Sequence, residues 1–477
     1  MSAEIERRTY GAHLTSIEIF EKFILPRIKD KIGQFSWVDL FAGEGNLILP
    51  ILKHIPLNKR VDFFKERIFL FDILEEMVNK SIMNAEKYGI PKSIAEKNII
   101  VRDTIKDYPE FITKLKYPPF HVTNPPYLYL GYIRKHKETQ KYLKYFKGWN
   151  EGYQDLYQLA LINDLRHGIK NMIYIIPSNF LFGFSVSNKI REDFFPYYTI
   201  KEAIIFEKKI FEFTGTNVMI CFFERKAFPS HEPITFKAIK INSGVKEKEY
   251  VLKPNLKYRA GGEFEEFVNK YRAEKPINVK YYLMKNDVES NKGDVELTVI
   301  DSNSYINGKY EIKKIRVNKE LYNKIKRNPL FVRTLDTGSY GGRAGIYFIK
   351  DEFGVDGILV TKSPYRTHPI QIFLKPELVK EDLVLLKDTF NMVLEYFREI
   401  TDSEFMTTYK YSNAEYTRKY LGLSQVKKLL ETIPILSLTF DEKRKLMKLI
   451  EKGDKKGVVE FIMRKNSSCY KGLDKFF

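Results

Sequence analysis

The residues whose types and spacing are most specific for chemistry are Asn124, Pro125, Pro126 and Tyr127, directly after an apolar run. Each proline fixes its own φ, lacks a backbone N–H and pushes the preceding residue out of the helical region, so the chain leaves the run rigid and extended. The amide oxygen of Asn124 and the carbonyl of Pro125 then point the same way as two acceptors, and Tyr127 adds a flat aromatic face. This set suits a planar group with an exocyclic amine, such as adenine. The alternative is a proline-rich turn that only closes a strand.

A loop with two glycines begins at Asp39 and continues through Phe41, Ala42, Gly43 and Gly45. Glycine lets the backbone turn tightly and pass close to a ligand. The loop lacks a third glycine and a basic residue, so it matches neither the dinucleotide fingerprint nor a phosphate-binding P-loop. Its leading acid would repel a pyrophosphate, and it suits a cationic amino-acid group instead.

Two more acids, Asp72 and Asp103, end the next two apolar runs. A carboxylate in the position of Asp72 can accept both hydroxyls of a ribose. A carboxylate in the position of Asp103 could accept from the amino group of adenine. Each acid, taken alone, has the alternative of being a helix N-cap or a solvated loop residue. Because all three acids precede the Asn124 motif at successive strand ends, we interpret them as parts of one site.

The elements that must position these residues alternate between strands and helices over residues 1–227. The apolar runs predicted as strands are 37–41, 68–71, 99–101, 120–123, 172–176, 203–206 and 218–223. Helical stretches lie between them, and this alternation predicts an α/β fold with a doubly wound, mostly parallel sheet. Such sheets bind ligands at the carboxyl ends of their strands, where the polar residues above lie.

The order of these motifs resembles the S-adenosylmethionine-dependent amino-methyltransferases, and in particular the gamma class of DNA adenine-N6 methyltransferases from restriction–modification systems. The resemblance covers about residues 7–225 and implies a Rossmann-like methyltransferase fold with S-adenosyl-L-methionine as cofactor. It implies that the glycine loop holds the methionine part of the cofactor. It also implies that Asp72 with Ile73 holds the ribose and that Asp103 with Thr104 holds the adenine.

The segment 8–16 matches the N-terminal cofactor segment of the same class. Its residues Leu14-Thr15-Ser16 replace the commoner threonine–proline of that class. By resemblance, Thr15 and Tyr10 should touch the cofactor, and so should Asn124 at the junction with the substrate.

The electronics of the Asn124 motif predict methyl transfer to adenine N6. An exocyclic adenine nitrogen is a poor nucleophile because its lone pair is delocalised into the ring. If its two N–H groups donate to the Asn124 amide oxygen and the Pro125 carbonyl, the nitrogen can pyramidalise and attack the sulfonium methyl group in line. Catalysis would then come from orientation and fixed dipoles, without a strong general base.

A duplex hides this nitrogen, so the base must be flipped out of the stack. By resemblance, Phe211 forms the second aromatic wall opposite Tyr127, and the two rings would stack on the flipped base. Phe213 is the alternative wall, and core packing is the alternative role for both phenylalanines. Residues 129–149 interleave basic side chains with aromatic rings. We interpret this stretch as a lid that contacts backbone phosphates, with a solvated amphipathic helix as the alternative.

The formal charge of +19 favours a polyanionic partner, and we predict double-stranded DNA. Residues 1–227 carry 34 basic and 27 acidic side chains, giving +7, and residues 228–477 carry 46 and 34, giving +12. We therefore assign 228–477 as a mixed α+β DNA target-recognition region with a helical C-terminal tail. A lysine-rich proteome is the alternative explanation of the charge.

The sequence disfavours several other classes of protein. No apolar run reaches the roughly 18 residues of a membrane span, and the distant cysteines Cys221 and Cys469 give neither a disulfide framework nor a zinc spacing. We expect a reducing cytoplasm and no metal site. The chain begins at the first cofactor segment and shows no nuclease motif, so we expect a standalone enzyme with any restriction endonuclease encoded separately. The remaining alternatives are an RNA adenine-N6 or protein glutamine methyltransferase, and a non-catalytic DNA-binding subunit.

Overall fold

The structure is a computed structural model that describes residues 15–208, 210, 217–336, 342–364, 368–408 and 418–470. The described residues divide into two compact units, the first ending at Ala260 and the second beginning at Gly261. Two residues assigned to the site, Tyr10 and Phe211, lie outside the described residues, as does the alternative Phe213.

Within the described residues, the first unit is built on a nine-stranded sheet in the order β3-β2-β1-β4-β5-β7-β6-β8-β9. The strands are β1 Ser36–Asp39, β2 Ile68–Asp72, β3 Ile99–Val101, β4 Pro119–Thr123, β5 Asn171–Pro177, β6 Tyr198–Phe206, β7 Val218–Arg225, β8 Ile234–Ile241 and β9 Val245–Leu252. β1 pairs in parallel with β2 and β4, β2 with β3, and β4 with β5, whereas β7 lies antiparallel between β5 and β6. The predicted α/β fold with a mostly parallel sheet is confirmed.

The central strands of this sheet are buried on both faces. Trp37 and Leu70 belong to one buried cluster, whereas Val38 and Phe71 belong to another. Since consecutive residues of a strand point to opposite faces, apolar side chains cover the sheet on both sides.

The described α-helices of this unit are α1 Ile17–Ile19, α2 Leu25–Ile28, α3 Arg60–Arg67, α4 Glu75–Lys87, α5 Lys92–Asn98, α6 Leu130–Ile133, α7 Leu156–Arg166, α8 Asn179–Phe182 and α9 Asn188–Phe194. A π-helix spans Phe20–Ile24. Helices of the 3-10 type span Lys29–Gln34, Leu49–His54, Leu57–Lys59, Glu110–Lys114, Lys137–Phe146, Gly148–Asn150 and Pro254–Leu256.

The first unit ends at Ala260 rather than at the residue 227 expected from the sequence. β8 pairs in parallel with β6, and β9 pairs antiparallel with β8, so both strands extend the main sheet. Along β8, Ile234, Phe236 and Ala238 are buried while the residues between them are exposed. This is the alternation of a strand with one solvated face, and the charged residues around it hide the pattern in the sequence.

The second unit combines small sheets with helices, so the mixed α+β character expected of the C-terminal region is confirmed. Its strands form sheets in the orders β10-β18-β14-β16, β11-β17-β12-β13 and β15-β20-β19. These strands are β10 Asn278–Tyr281, β11 Leu283–Met284, β12 Val295–Ile306, β13 Lys309–Val317, β14 Leu330–Arg333, β15 Leu335–Asp336, β16 Gly345–Phe348, β17 Gly357–Val360, β18 Ile370–Lys375, β19 Thr407–Thr408 and β20 Lys419–Tyr420. The described α-helices are α10 Glu263–Lys270, α11 Lys285–Glu289, α12 Lys319–Arg327, α13 Ile349–Phe353, α14 Lys380–Thr401, α15 Leu423–Thr432, α16 Phe440–Glu451 and α17 Lys455–Tyr470. In the part of the chain that the structure describes, no helix combines the length and apolarity that a membrane crossing requires.

Candidate active site

The carboxyl ends of β1, β2 and β4 bring three of the sequence-predicted residues to one edge of the sheet. Asp39 is the last residue of β1, Asp72 is the last of β2, and Asn124 follows β4 directly. Beside them lies an open cavity of about 280 Å³. Its walls are formed by Thr15, Asp39, Phe41, Ala42, Gly43, Glu44, Asn46, Leu47 and Asn124.

Asp39 is a buried acid whose two carboxylate oxygens differ. Oδ1 accepts hydrogen bonds from Thr123 Oγ1 at 2.5 Å and from the Phe41 N–H at 3.0 Å. Oδ2 is buried and has no hydrogen-bond partner among the described residues. Burial raises the pKa of Asp39 to about 7, despite those two donors, and the charge of Asp72 raises it further. The cavity wall therefore carries an acid that needs a positively charged donor to be stable in its ionised form.

Asp72 shapes the loop that follows β1. Its Oδ2 accepts from the Gly43 N–H at 2.8 Å, and its Oδ1 accepts from the Leu74 N–H at 2.9 Å. Burial raises the pKa of Asp72, and its backbone donors oppose that rise. Gly43 adopts φ of +53°, a left-handed conformation that other residues rarely adopt, so the donor points at Asp72 only because a glycine stands here.

Two other predicted cofactor residues do not line the cavity. Gly45 has φ of +79°, and a Cβ atom on it would lie 2.6 Å from Leu49 Cδ1 and 2.7 Å from Ser81 Oγ. Any larger residue at position 45 would therefore clash with the side chains packed beneath the loop. Thr104 is buried and donates to the Leu40 carbonyl at 2.9 Å, which ties the chain after β3 to the end of β1.

Asn124 joins the cavity to the N-terminal segment. Its Nδ2 donates to Thr15 Oγ1 at 2.9 Å, and Asn46 Nδ2 donates to the Thr15 carbonyl at 3.0 Å. Thr15 therefore connects the glycine loop with the proline motif. The Asn124 Oδ1 atom accepts from the hydroxyl of Tyr127.

Tyr127 is turned inward, with only 4% of its surface exposed. Its hydroxyl is shared between Asn124 Oδ1 and the Ile175 carbonyl, which lies 2.7 Å away. Its ring meets the ring of Tyr157 edge-on, with centroids 6.4 Å apart. Burial raises the pKa of Tyr127 well above its usual value, so the hydroxyl remains a donor. The sequence predicts an open aromatic face here, whereas in this conformation the polar end of the ring finds both acceptors inside the protein.

The prolines lead from β4 to an anchored segment. Pro125 is buried and Pro126 is half-buried. Two residues further on, the Leu128 N–H donates to Asp155 Oδ1 at 2.8 Å. Because Asp155 directly precedes α7, the exit of the motif is fixed to the start of that helix.

Asp103 lies beyond β3 and away from the cavity wall. It is half-buried, and its Oδ2 accepts from the Tyr145 hydroxyl at 2.5 Å. Its Oδ1 accepts from the Lys106 N–H at 3.3 Å. Ile73, at the end of β2, has 47% of its surface exposed. The structure thus places Asp103 and Ile73 outside the lining of this cavity, and Ile73 on the exposed surface.

The segment 129–149 buries three of its aromatic rings and exposes its basic side chains, while Trp149 is 91% exposed. Tyr142, Tyr145 and Phe146 are buried, whereas its basic side chains are exposed. These exposed side chains are Arg134, Lys135, Lys137, Lys141, Lys144 and Lys147. One face of the segment is therefore part of the protein core, and the other is a positively charged surface.

The model of the N-6 DNA Methylase family matches residues 2–314, which is more than half of the chain. The chain belongs to the N-6 DNA Methylase family. Members of this family are DNA N6-methylases, and such enzymes normally use S-adenosylmethionine. Among curated proteins, no sequence matches the chain.

Several solved structures are similar to this chain, and one of them, with a TM-score above 0.5, supports its fold. The type IIL restriction–modification enzyme MmeI, determined in complex with DNA, is 11% identical, with a TM-score of 0.51 and coverage of 99% of this chain and 77% of MmeI. The type IIG restriction endonuclease BpuSI is 13% identical, with a TM-score of 0.41 and coverage of 94% and 62%. A type I methyltransferase subunit from Streptococcus thermophilus is 18% identical, with a TM-score of 0.33 and coverage of 48% and 47%. The chain spans between 36% and 62% of the length of the first structures that it matches.

The structure adds residues that sequence reasoning did not assign to this site. Glu44, Asn46 and Leu47 line the cavity. Their position directly after Gly43 is the signal that could have identified them. Tyr145 contacts Asp103, and no local pattern indicates this contact because the two residues are 42 positions apart.

Proposed function

We propose that this N-6 DNA methylase transfers a methyl group from S-adenosylmethionine to N6 of an adenine flipped out of a specific site in duplex DNA. We further propose that it is the modification enzyme of a restriction–modification system, of the gamma class by its motif order. The observation that carries the proposal is one cavity lined by both Asp39 and Asn124, in which the buried Oδ2 of Asp39 has no hydrogen-bond partner among the described residues. The carboxylate of Asp39 suits the positively charged amino-acid part of the cofactor. The hydrogen-bond acceptors of the Asn124 motif suit the amine of the substrate.

The residues around the cavity fit the cofactor. The orphaned Oδ2 of Asp39 is suited to the ammonium group of the methionine part, and Gly43 and Thr15 stand beside it. Asp72 and Ile73 at the end of β2 would face the ribose, and Asp103 would face the purine. When bound, S-adenosylmethionine supplies an electrophilic methyl group on its sulfonium sulfur.

The proline motif would orient the substrate amine. We infer that Asn124 Oδ1 and the Pro125 carbonyl accept its two N–H groups, which localises the nitrogen lone pair for in-line attack. Tyr127 donates to the same Oδ1 atom in the present conformation, and an amide oxygen has a second lone pair that can accept an N–H of the substrate. The Ile175 carbonyl, 2.7 Å from the hydroxyl, is an alternative acceptor for the Tyr127 proton. In this proposal the ring of Tyr127 then contributes to stacking on the base, with Phe211 as the opposite wall.

DNA binding would use both units. The exposed basic face of residues 129–149 is a surface for backbone phosphates next to the proline motif. The second unit, which begins at Gly261, is the proposed target-recognition region, because β8 and β9 of residues 228–260 belong to the main sheet of the first unit. A separately encoded endonuclease that cleaves the same site is the proposed partner.

A labelling experiment tests the proposal against its alternatives. The protein is incubated with methyl-labelled cofactor and, in parallel, with plasmid DNA, total RNA and protein extract. The proposal predicts label in DNA, recovered as N6-methyladenine. Label only in RNA or in protein glutamine would contradict it, and no label in any substrate would favour a non-catalytic DNA-binding subunit.

A further inference from the structure

Tyr145 joins the segment after the proline motif to the end of β3. Its hydroxyl donates to Asp103 Oδ2 at 2.5 Å, and its ring is buried. Burial, the hydrogen bond and the charge of Asp103 together raise the pKa of the Tyr145 phenol above its usual value. The hydroxyl therefore stays protonated and acts as a donor, which holds the carboxylate in one orientation.

The backbone of Tyr145 is fixed independently of its hydroxyl. The Tyr145 carbonyl accepts from Asn150 Nδ2 at 2.8 Å, and Asn150 Oδ1 accepts from the Arg166 guanidinium at 2.7 Å. Arg166 is the last residue of α7 and also donates to the Trp149 carbonyl at 2.8 Å. The hydroxyl thus reaches Asp103 from a residue tethered to the core of the unit.

Asp103 has remaining hydrogen-bonding capacity, and exposed apolar residues stand at the ends of the two neighbouring strands. A carboxylate offers about four lone-pair sites, and the described donors are the Tyr145 hydroxyl and the Lys106 N–H. Ile73 and Val101, at the adjacent ends of β2 and β3, have 47% and 49% of their surfaces exposed. An apolar surface next to an oriented acceptor suits a planar ring that carries an amino group.

We propose that Tyr145 is a positioning residue for the purine of the cofactor, because it orients Asp103 to accept from an exocyclic amino group. This inference rests on the proposed function, in which the ligand at Asp103 is an adenosyl compound. A purine with a carbonyl at that position would place an acceptor against a carboxylate that has no proton to give. Tyr145 therefore sets the preference of the site for an amino-bearing purine.

Two product analogues that differ only at this position test the role. S-adenosyl-L-homocysteine carries the amino group and S-inosyl-L-homocysteine carries a carbonyl, and calorimetry on the full chain gives the ratio of their dissociation constants. We expect the wild-type protein to prefer the adenosyl compound by about 100-fold or more. Tyr145→Phe should reduce this preference about tenfold, since one oriented hydrogen bond to a charged group is lost. A merely structural role would weaken both ligands equally and leave the ratio unchanged.

A matched control removes a similar hydrogen bond elsewhere in the same unit. The Tyr153 hydroxyl donates to Asp193 Oδ2 at 2.7 Å, so Tyr153→Phe also deletes a tyrosine–aspartate contact and should keep the wild-type ratio. A wild-type ratio in Tyr145→Phe would overturn the inference while the proposed function stands. Absence of adenosyl binding to the wild-type protein would instead contradict the proposed function. If Tyr145→Phe fails to fold by circular dichroism, Tyr145→Met replaces it, because the flexible apolar side chain of methionine fills similar space without a hydroxyl. A reduced preference in that variant supports the inference, and the wild-type ratio overturns it.

Discussion

Two acids at or just after the ends of strands in one sheet, Asp39 and Asp103, differ in their burial and in their hydrogen-bond partners. Asp39, at the end of β1, is buried, with Oδ2 lacking a hydrogen-bond partner among the described residues and a pKa raised to about 7. Asp103, after β3, is half-buried, and its Oδ2 accepts from the Tyr145 hydroxyl. The sequence predicts that both bind the cofactor, Asp39 at its amino-acid end and Asp103 at its adenine, but it does not show that they differ in burial and hydrogen bonding.

In the proposed cofactor site, this difference suggests that the half around Asp39 and the half around Asp103 contribute differently to cofactor binding. An unsatisfied buried carboxylate gains most from a cationic ligand, so the Asp39 half should supply affinity. A carboxylate already oriented by a donor gains less from a further neutral donor, so the Asp103 half should supply selectivity.

The largest effect is expected at the residue where the cofactor cavity meets the substrate motif. Asn124→Ala removes one of the two proposed acceptors for the amine, and turnover should fall by at least about 10²–10³-fold. Cofactor affinity should change much less, because Asp39 and the glycine loop remain. Single-turnover methylation and calorimetry with S-adenosyl-L-homocysteine separate the two quantities, and normal turnover would show that the proline motif does not bind the substrate.

Asp39→Asn tests the half of the site that should supply affinity. The neutral amide cannot balance the ammonium group of the cofactor, so the dissociation constant of S-adenosyl-L-homocysteine should rise about 10–100-fold. Asp103→Asn is the matched comparison and should raise that constant only about fivefold, because an amide oxygen still accepts from an amino group. Equal losses in the two variants would erase the proposed difference between the halves.

The burial of Asp39 also predicts a pH dependence of stability. Its pKa is 3.8 in the unfolded chain and about 7 in the folded one, so the folded state binds the proton more tightly. The free energy of unfolding should therefore fall as pH rises from about 4 to about 7, by up to ~1.4 kcal/mol per pH unit, and then level off. Urea unfolding of the ligand-free wild-type protein and of Asp39→Asn at several pH values isolates this contribution. Parallel pH profiles for the two proteins would argue against a strongly raised pKa at Asp39.

The smallest effect is expected on the outer face of the segment that carries Tyr145. Replacing Lys141, Lys144 and Lys147 together by glutamine should weaken DNA binding about tenfold and reduce its salt dependence, since each lost phosphate contact lowers the slope by about 0.9. Binding of S-adenosyl-L-homocysteine without DNA should be unchanged, because these side chains point to solvent.

The matched control for the lysine variant is the same charge change on another exposed part of the first unit. Lys65, Lys92 and Lys97 are exposed on α3 and α5, and their triple glutamine variant should bind DNA nearly as the wild type does. If both triple variants lose the same affinity, net charge rather than the segment 129–149 governs binding.

The sequence predicts the sheet and the position of three candidate site residues at one of its edges. Buried strands leave apolar runs, and parallel strands bring Asp39, Asp72 and Asn124 to one edge, so position in the chain is enough to place them. The contact between Tyr145 and Asp103 spans 42 positions, and it depends on which side of a short helix faces the core. The inward turn of Tyr127 depends on the Ile175 carbonyl, 48 positions away. Contacts of this kind are fixed by tertiary packing, which local patterns do not encode.

The most direct test of the central claim is a crystal structure with sinefungin, an analogue that carries an amine in place of the transferable methyl group. We expect the amino-acid ammonium of sinefungin to lie within hydrogen-bonding distance of Asp39 Oδ2 and its purine to lie at Asp103. We expect the amine that replaces the methyl group to point toward Asn124. An analogue bound elsewhere, or seated with its amine remote from Asn124 while Asp39 Oδ2 keeps no partner, would contradict it.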